Sequence, residues 1–400
     1  MDILTNRILR MSESATIEMA KKSRELKEQG IDIISLSLGE PDFATPECIK
    51  EAGIQAINNN KTHYTPVPGI PELRKAIARK LKLENNVEYP YENIIVSNGA
   101  KHSLANVLMA LVEKGDEVIV PAPYWVSYTE LVKLAEGETK IIETTIENHF
   151  KIRPQQLEEA ITEHTKVLIF NSPSNPTGMV YTHEELAALV EVLVKFPHLY
   201  IIADEIYEYI IYEGGHTSLA SFEALKDRII IVNGVSKGFA MTGWRIGYIA
   251  ANKEIAKACE KLQGQYTSGP NSIAQWAALK AIDDPECSSK EKDIMHQAFL
   301  KRRNYMMQRL GNMKGIKTSL PNGAFYIFPN IEAFFGKSYH DCKITTDRDF
   351  AMYLLKEAHV AVVPGGAFGN DRCVRLSYAV SMDEIVQAMD RIEAALLKLK

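Results

Sequence analysis

The richest combination of reactive residues lies in one glycine-punctuated segment, residues 234–247. Lys237 and Arg245 lie eight positions apart in it, and neither has the neighbours of a solvated helix-face charge. A lysine amine can form a Schiff base with an aldehyde, and an arginine can grip a phosphate through paired hydrogen bonds.

A carboxylate follows the apolar run 200–203, at the point where a buried strand is expected to end. An unpaired buried charge is costly, so Asp204 needs a partner, and a protonated ring nitrogen would serve. The alternative is that Asp204 caps the next helix.

A glycine-led turn follows the apolar run 94–96 and comprises Gly99, Ala100 and Lys101 before a predicted helix. Glycine allows close approach of a ligand, and the free N–H groups of a helix start attract phosphate. An ordinary tight turn would also explain this glycine.

Two further runs are followed by residues suited to a flat ring. Trp125 comes after run 118–120 and could stack on a heteroaromatic ring, although a core position is the alternative. Asn175 comes after run 167–170 in a loop stiffened by prolines. A plain Asn-Pro turn is the alternative there.

Taken together, these groups are the parts that a protein supplies to pyridoxal 5'-phosphate (PLP). The lysine can bind the aldehyde, the carboxylate can pair with the pyridinium, the glycine turn and arginine can hold the phosphate, and the aromatic ring can stack.

Six short apolar runs between residues 94 and 250 must position these groups. Each is apolar on both faces, which is typical of strands covered by helices on both sides. The runs are Ile94–Val96, Val118–Val120, Val167–Phe170, Tyr200–Ala203, Ile229–Val232 and Tyr248–Ala250. The predicted helices between them are Leu104–Glu113, Tyr124–Glu136, Glu184–Phe196 and Lys253–Leu262. This alternation predicts an α/β domain with a mainly parallel sheet whose strand ends form the ligand site.

The last third of the chain predicts a smaller α+β domain. Its predicted strands are Gly323–Phe328, His359–Val363 and Cys373–Tyr378, and its predicted helices are Arg348–Glu357 and Ser381–Lys400. The last helix opens with a capping-box spacing, Ser381 followed by Glu384. Residues 1–45 show no strand–helix unit and are expected to pack on this domain.

Composition excludes several function classes. The 400 residues are 46% apolar and 24% charged, as in globular proteins, and the net charge of −5 gives no basic footprint for nucleic acid. No apolar run reaches the ~18 residues of a membrane span. Charged residues interrupt the first twenty positions, so no secretory signal is predicted.

Five scattered cysteines contain no C-x-x-C pair: Cys48, Cys259, Cys287, Cys342 and Cys373. This pattern argues against a disulfide framework or a zinc site, so no metal is predicted, and a reducing, cytoplasmic location is expected.

The residues 234–247 resemble the lysine-attachment signature of the class I and II aminotransferases, which are PLP enzymes of fold type I. Supporting matches run in order along nearly the whole chain. They are residues 39–43 (GEPDF), Tyr64 with Gly69, 175–178 (NPTG), 204–207 (DEIY) and 374–377 (VRLS).

The resemblance implies a fold and a domain division. The expected fold is α/β, with a mainly parallel seven-stranded sheet covered by helices in a large domain, residues 46–290. A smaller α+β domain would combine residues 291–400 with an N-terminal arm, residues 1–45.

The resemblance also implies roles around the cofactor ring. Lys237 would carry PLP and act as the acid and base, and Asp204 would keep the pyridinium protonated. Asn175 and Tyr207 would hydrogen-bond the phenolic oxygen, and Trp125 would stack on the ring.

Phosphate and carboxylate roles follow in the same way. The phosphate would be bound by Gly99, Ala100, Lys101, Ser236 and Arg245. Many relatives have a serine at the position of Gly234, so phosphate binding is expected to rely more on Arg245 and the helix start.

Arg375 would grip the substrate α-carboxylate beside the Gly39 backbone; a solvent-facing strand arginine is the alternative. Tyr64 resembles a tyrosine that reaches the phosphate of a partner subunit, which implies a homodimer with shared sites.

The closest resemblance is to bacterial-type aspartate aminotransferases. Animal-type relatives place an arginine in the stretch that corresponds to 264–270, which has none here. In the bacterial-type subgroup a lysine of the phosphate turn and a serine near the N-terminus bind the distal carboxylate of the substrate, and the resemblance implies this role for Lys101 and Ser14. Phosphate binding or a solvated helix start remains open for Lys101, and a plain N-cap for Ser14. The predicted reaction is a ping-pong transfer from L-aspartate to 2-oxoglutarate, giving oxaloacetate and L-glutamate.

Several alternatives stay open. The substrate could be an aromatic amino acid, alanine or prephenate, although Ser12 stands where prephenate-using relatives have a basic residue. A PLP-dependent lyase or decarboxylase has the same cofactor residues. A PLP-sensing transcription regulator would need a basic DNA-binding segment, and no basic stretch is present.

Overall fold

A computed structural model describes residues 3–400. Met1 and Asp2, with which the predicted N-terminal arm begins, lie outside the described residues. The described α-helices are α1 Asn6–Leu9, α2 Ala15–Glu28, α3 Glu47–Asn58, α4 Pro71–Asn85, α5 Ala100–Leu111, α6 Ser127–Leu134, α7 Pro154–Ala160, α8 His183–Leu193, α9 Lys253–Tyr266, α10 Ser272–Asp283, α11 Ser289–Asn312, α12 Asp347–Tyr353 and α13 Met382–Leu396.

The described strands form one large sheet and three small ones. They are β1 Ile34–Ser35, β2 Ile94–Ser97, β3 Glu117–Ala122, β4 Glu138–Glu143, β5 Thr165–Asn171, β6 Tyr200–Asp204, β7 Ile229–Gly234, β8 Gly247–Ala250, β9 Tyr326–Ile327, β10 Ser338–Tyr339, β11 Cys342–Lys343, β12 Val360–Ala361, β13 Val363–Pro364 and β14 Val374–Ser377.

The large sheet has seven strands in the order β2-β8-β7-β6-β5-β3-β4. Each of the six apolar runs lies in one of its strands. Neighbouring residues of a strand enter two different cores: Ile201 packs with α4, α8 and α10, whereas Ile202 packs with α5, α6 and α9. This two-sided burial explains why the runs are apolar on both faces. The edge strand β4 was not predicted, since its residues are largely exposed.

Strand direction brings the chemically important loops to one edge of this sheet. Strands β3, β5, β6 and β7 run parallel, and β8 runs antiparallel to both β7 and β2. The carboxyl ends of the parallel strands therefore meet the amino end of β8. As a result Arg245, which precedes β8, lies at the same edge as Asp204 and Lys237, which end or follow β6 and β7.

A second core forms around α11, α13 and the antiparallel sheet β13-β14-β9. Residues 1–45 were expected to show no strand–helix unit and to pack on this domain; the first expectation is wrong, and the second agrees with the structure. These residues contain α2 and β1, and β1 pairs in parallel with β12. The domain limits at residues 45 and 290 stay a prediction, because Ile206, Tyr207 and Ile210 also join this second core.

Helix starts refine two expectations. The predicted capping box of α13 is confirmed, since the Ser381 hydroxyl accepts from the N–H of Glu384 and the Glu384 carboxylate accepts from the N–H of Ser381. In contrast, α5 begins at Ala100, four residues before the predicted start. The glycine turn therefore leads directly into the helix N-terminus.

The expectation of no disulfide is wrong for one pair. Cys48 and Cys287 are bonded, with their Cα atoms 6.0 Å apart, although they are separated by 239 positions in the sequence. The packing of α10 against α3 brings them together, which sequence spacing does not reveal. The cysteine argument for a reducing compartment therefore no longer applies to this pair. Among residues 3–400, no helix combines the length and apolar character that crossing a bilayer requires.

Candidate active site

One cavity of about 260 Å³ collects the predicted residues at the functional edge of the large sheet. Every predicted site residue except Gly99 and Tyr64 contributes to its lining. Those that do are Ser14, Gly39, Ala100, Lys101, Trp125, Asn175, Asp204, Tyr207, Ser236, Lys237, Arg245 and Arg375.

Lys237 reaches this cavity from the turn after β7. Its Nζ donates a 2.6 Å hydrogen bond to the carbonyl oxygen of Gly39. Burial lowers the pKa of Lys237 to about 8, while Glu40 raises it and Arg245 lowers it further. More of the side chain is therefore free amine near neutral pH than in an ordinary lysine, and the free amine is the form that acts as nucleophile and base.

Asp204 is the buried last residue of β6. Its Oδ2 accepts a 2.7 Å hydrogen bond from the Tyr128 hydroxyl, and its Oδ1 accepts one of 3.3 Å from the Ile206 N–H. Burial raises the pKa of Asp204 to about 6, although these two donors act the other way. The residues that follow form a turn, so the helix-cap alternative for Asp204 is wrong.

Arg375, in β14, is only 1% exposed, so the solvent-facing alternative is wrong. Its Nη1 donates to the Asn175 side-chain oxygen at 3.0 Å, and its Nη2 donates to the Ser37 carbonyl at 2.7 Å. The rings of Tyr326 and Phe368 lie 4.6 and 4.8 Å from the guanidinium. Its buried Nε has no hydrogen-bond partner in residues 3–400. The guanidinium is thus held in one orientation with donor capacity left over.

Asn175 links this arginine to the β6 strand end. Its N–H donates to the side-chain oxygen of Asn171, whose amide nitrogen donates to the Asp204 carbonyl, each at 2.9 Å. The Asn175 side chain is therefore oriented by more than an Asn-Pro turn.

Two tyrosines close the wall beside Gly39. The hydroxyls of Tyr207 and Tyr326 lie 2.8 Å apart. A Cβ on Gly39 would lie 2.6 Å from the Tyr326 hydroxyl, so only glycine allows this close approach.

The anion-binding end of the cavity combines a helix N-terminus with an arginine. Gly99 is the N-cap of α5 with a φ of +84°, and a Cβ there would lie 2.3 Å from Nη2 of Arg245. Arg245 is held by a 2.8 Å hydrogen bond from Nη1 to the Thr242 carbonyl. Free N–H groups, a guanidinium and the Ser236 side chain are an arrangement suited to phosphate.

Gly234 has a packing reason for lacking a side chain. A Cβ on it would lie 2.7 Å from the Ile246 carbonyl oxygen and 2.9 Å from the Gly247 Cα, both backbone atoms of the adjacent strand region. A serine does not fit at this position without movement of β8.

The opposite wall carries the residues predicted to select the substrate. Lys101 Nζ lies 4.8 Å from the Trp125 ring centroid. Burial lowers the pKa of Lys101, and Arg245 lowers it further. Ser14 is the N-cap residue of α2 by position, but its side chain makes no capping hydrogen bond. Its hydroxyl is therefore available to a ligand.

Tyr64 lies apart from the cavity and is 99% exposed. Within a single chain the structure does not bring Tyr64 to the site.

Sequence reasoning missed Tyr128, Tyr326 and Asn171 as site residues. Tyr128 could have been found, since it follows Trp125 at helical spacing. Tyr326 gave no signal because it lies in a strand whose neighbours are all apolar or aromatic.

The residues present fit PLP. The buried Asp204 carboxyl suits a cationic ring nitrogen, the α5 N-terminus and Arg245 suit a phosphate, and Lys237 supplies the amine. Arg375 also lines the cavity, and its guanidinium suits a carboxylate.

Comparisons with known proteins agree with this geometry. The family model "Aminotransferase class I and II" matches residues 31–392. A "Probable aspartate/prephenate aminotransferase" of Rhizobium leguminosarum bv. phaseoli is 47% identical over 98% of this chain and 98% of that protein.

Two solved structures are similar over nearly their whole length. An aspartate aminotransferase from Rhizobium meliloti has a TM-score of 0.96 and 40% identity, covering 100% of both chains. An aspartate aminotransferase from Thermus thermophilus, solved with maleate, has a TM-score of 0.93 and 41% identity, covering 99% of this chain and 100% of that one. The expected fold type I is thereby confirmed, and the chain belongs to the class I and II aminotransferases.

Proposed function

We propose that this chain is an aspartate aminotransferase that moves the amino group of L-aspartate to 2-oxoglutarate by a ping-pong mechanism. The observation that carries the proposal is that Lys237, Asp204, Arg245 and Arg375 share one cavity. The products are oxaloacetate and L-glutamate.

Enzymes of this family depend on PLP, whose pyridinium ring stabilises the negative charge that develops at the substrate α-carbon. Lys237 would hold the cofactor through its amine, and the same amine would take the proton from the substrate α-carbon. The lowered pKa of Lys237, about 8, supports this role, because its amine is released near neutral pH far more readily than that of an ordinary lysine.

Asp204, a buried carboxyl, would pair with the protonated ring nitrogen of the cofactor. Tyr128 stabilises the ionised form of Asp204 through its 2.7 Å hydrogen bond. Asn175 and Tyr207 would hydrogen-bond the phenolic oxygen of the ring, and Trp125 would stack on the ring.

The phosphate is bound by the α5 N-terminus, Arg245 and Ser236. Arg375 binds the α-carboxylate as a two-pronged fork, and Asn175 and Ser37 fix its orientation.

The substrate preference rests on Lys101 and Ser14. Both line the cavity, and Ser14 has an unused hydroxyl. An ammonium and a hydroxyl suit a distal carboxylate, and the Thermus thermophilus relative was solved with maleate, a dicarboxylate.

Steady-state kinetics with aspartate, alanine and aromatic amino acids tests this preference. Lys101→Ala should lower kcat/KM for aspartate by about 10- to 100-fold, the loss of one hydrogen bond to a charged group, and leave alanine nearly unchanged. Lys114→Ala, at an exposed lysine just beyond α5, is the matched control. A wild-type preference for alanine or aromatics over aspartate rejects the Lys101 assignment.

Prephenate is a second candidate acceptor, because the Rhizobium leguminosarum relative is described as an aspartate/prephenate aminotransferase. The reason against it, Ser12 in place of a basic residue, stays a prediction. Direct assay of prephenate amination with aspartate as donor decides between the two.

A homodimer with shared sites is also part of the proposal. Tyr64 is 99% exposed, and apolar residues of the N-terminal and α3 surfaces are about half exposed, including Ile8 (49%), Leu9 (49%) and Ile57 (52%). Sedimentation analysis should give twice the chain mass, and Tyr64→Phe should weaken PLP binding. A monomer with full PLP affinity would contradict this part. The cytoplasmic location stays a prediction, which cell fractionation would test.

A further inference from the structure

A second group of buried charges lies behind the cavity, on the turn that follows β6. Glu205 and Glu208 have side chains that are 3% and 5% exposed, and the Lys80 side chain of α4 is 3% exposed. His216, on the following loop, has a side chain that is 10% exposed. None of these four residues lines the cavity.

Glu208 is surrounded by donors. The Lys80 ammonium contacts its Oε1, as does the Asn233 side-chain amide at 2.8 Å. The Asn85 amide donates to its Oε2 at 2.8 Å. These partners offset the burial that would otherwise raise the carboxyl pKa, and the pKa of Glu208 falls below its ordinary value.

Glu205 has fewer partners. The Ser218 hydroxyl donates to its Oε1 at 2.7 Å. Nε2 of His216 lies at ion-pair distance, 3.2 Å, from its Oε2, but the contact lacks hydrogen-bond geometry, and neither imidazole nitrogen has a hydrogen-bond partner in residues 3–400. His216 is therefore the group that can neutralise Glu205.

The turn after β6 alternates between the two sites. Asp204 and Tyr207 line the cavity, whereas Glu205 contacts His216 and Glu208 contacts Lys80. Because one short turn carries all four residues, the contacts of Glu205 and Glu208 help to fix the positions of Asp204 and Tyr207.

Apart from Glu84, whose side chain is 40% exposed, the charges of this group balance only if His216 is protonated. Two carboxylates face one ammonium, and an unpaired buried charge is strongly destabilising. The carboxylate and imidazole atoms lie within 4.8 Å of one another, a spacing that a metal ion could bridge, but the Lys80 ammonium already contacts Glu208. An imidazolium completes the balance without another ion.

We propose that Lys80, Glu205, Glu208 and protonated His216 form a positioning network that holds the β6 turn so that Asp204 and Tyr207 meet the cofactor ring. This inference rests on the proposed function, because it assigns the network a role toward PLP.

The surroundings of His216 agree with its charged state. Burial alone would lower its pKa, but Glu205 and Glu208 raise it above the ordinary value, with Lys80 opposing. Other titratable groups around the network are Glu84, which lies 3.8 Å from Lys80, and the tyrosines Tyr89, Tyr209 and Tyr248. The pKa of each of these tyrosines is raised, mainly by burial, so they stay neutral over the working range.

The test is equilibrium binding of PLP to apoenzyme variants across pH, with thermal unfolding in parallel. His216→Asn should weaken PLP binding by about tenfold at about pH 6, where wild-type His216 is charged. The ratio of the variant's PLP dissociation constant to that of the wild type should approach one above the His216 pKa, because wild-type His216 is then neutral as well. His164→Asn, at an exposed histidine, is the control and should leave binding unchanged.

Glu205→Gln is the second variant, and it should weaken binding similarly, with the double variant no weaker than either single one. Should neither variant fold, ¹⁵N NMR of His216 in the wild-type holoenzyme decides, because both ring nitrogens must carry protons at about pH 6. The proposed network would be overturned by unchanged PLP affinity in the folded variants or by a ratio of dissociation constants that does not change with pH. A neutral His216 imidazole in the NMR experiment would also overturn it. Failure of the wild-type apoenzyme to bind PLP would instead overturn the proposed function.

Discussion

The hydrogen bond from Tyr128 to Asp204 offers the sharpest test of how the site holds a charged ring. In Tyr128→Phe the carboxylate loses its 2.7 Å donor and keeps only the 3.3 Å contact from Ile206. A hydrogen bond to a charged group contributes roughly 1.5–3 kcal/mol, and one pKa unit corresponds to roughly 1.4 kcal/mol. The pKa of Asp204 in the apoenzyme should therefore rise by about one to two units from its value of about 6.

This change predicts a pH-dependent loss of PLP affinity. The complex requires the ionised carboxylate, so the protein must first release a proton wherever Asp204 is protonated. The dissociation constant should rise about 5- to 50-fold relative to wild type at about pH 6, and stay nearly equal to it at about pH 9. The loss is thus present at low pH and disappears as pH rises through the new pKa of Asp204.

Fluorescence titration of apoenzyme with PLP at the two pH values measures the ratio. Tyr124→Phe is the control, because it removes a hydroxyl from the same segment without touching Asp204. Equal losses at both pH values would mean that the hydroxyl acts only through packing. No loss at the lower pH would refute the assignment of Asp204 to the ring nitrogen.

Two other substitutions test separate parts of the site. Arg375→Lys should lower kcat/KM for aspartate by at least about a hundredfold, because a single ammonium cannot replace the two-pronged guanidinium that Asn175 and Ser37 hold in place. Steady-state kinetics measures this loss. A loss below about tenfold would count against the role of Arg375 in binding the substrate carboxylate. Gly234→Ala should destabilise the fold by about 1–3 kcal/mol, because its Cβ meets backbone atoms 2.7 and 2.9 Å away. Thermal unfolding measures this, with Gly243→Ala as the control, since no atom lies within 4 Å of a Cβ there. An unchanged Tm in Gly234→Ala would refute the packing argument.

The strands of the large sheet could be predicted from the sequence because both of their faces are buried. Ile201 and Ile202 enter different cores, so a run of apolar residues was unavoidable. The strand β4 escaped prediction for the opposite reason, since it lies at the sheet edge with exposed residues. The antiparallel direction of β8 left no mark in residue type, although it places Arg245 at the site.

The site residues were predicted unevenly. Lys237 and Arg245 lie in one specific segment, so their type and spacing carried information. Tyr326 and the Cys48–Cys287 pair depend on contacts between distant parts of the chain, which no local pattern encodes. The network behind β6 was missed because Glu205 and Glu208 were interpreted only as neighbours of Asp204 and Tyr207.

The central claim is that Lys237 binds the cofactor. After reduction of the PLP-loaded protein with borohydride, peptide mass spectrometry should find the pyridoxyl group on Lys237 alone. The Lys237→Ala variant, treated in the same way, should carry no covalently bound pyridoxyl group. A pyridoxyl group on another lysine, or an unmodified Lys237 in protein saturated with PLP, would contradict the account.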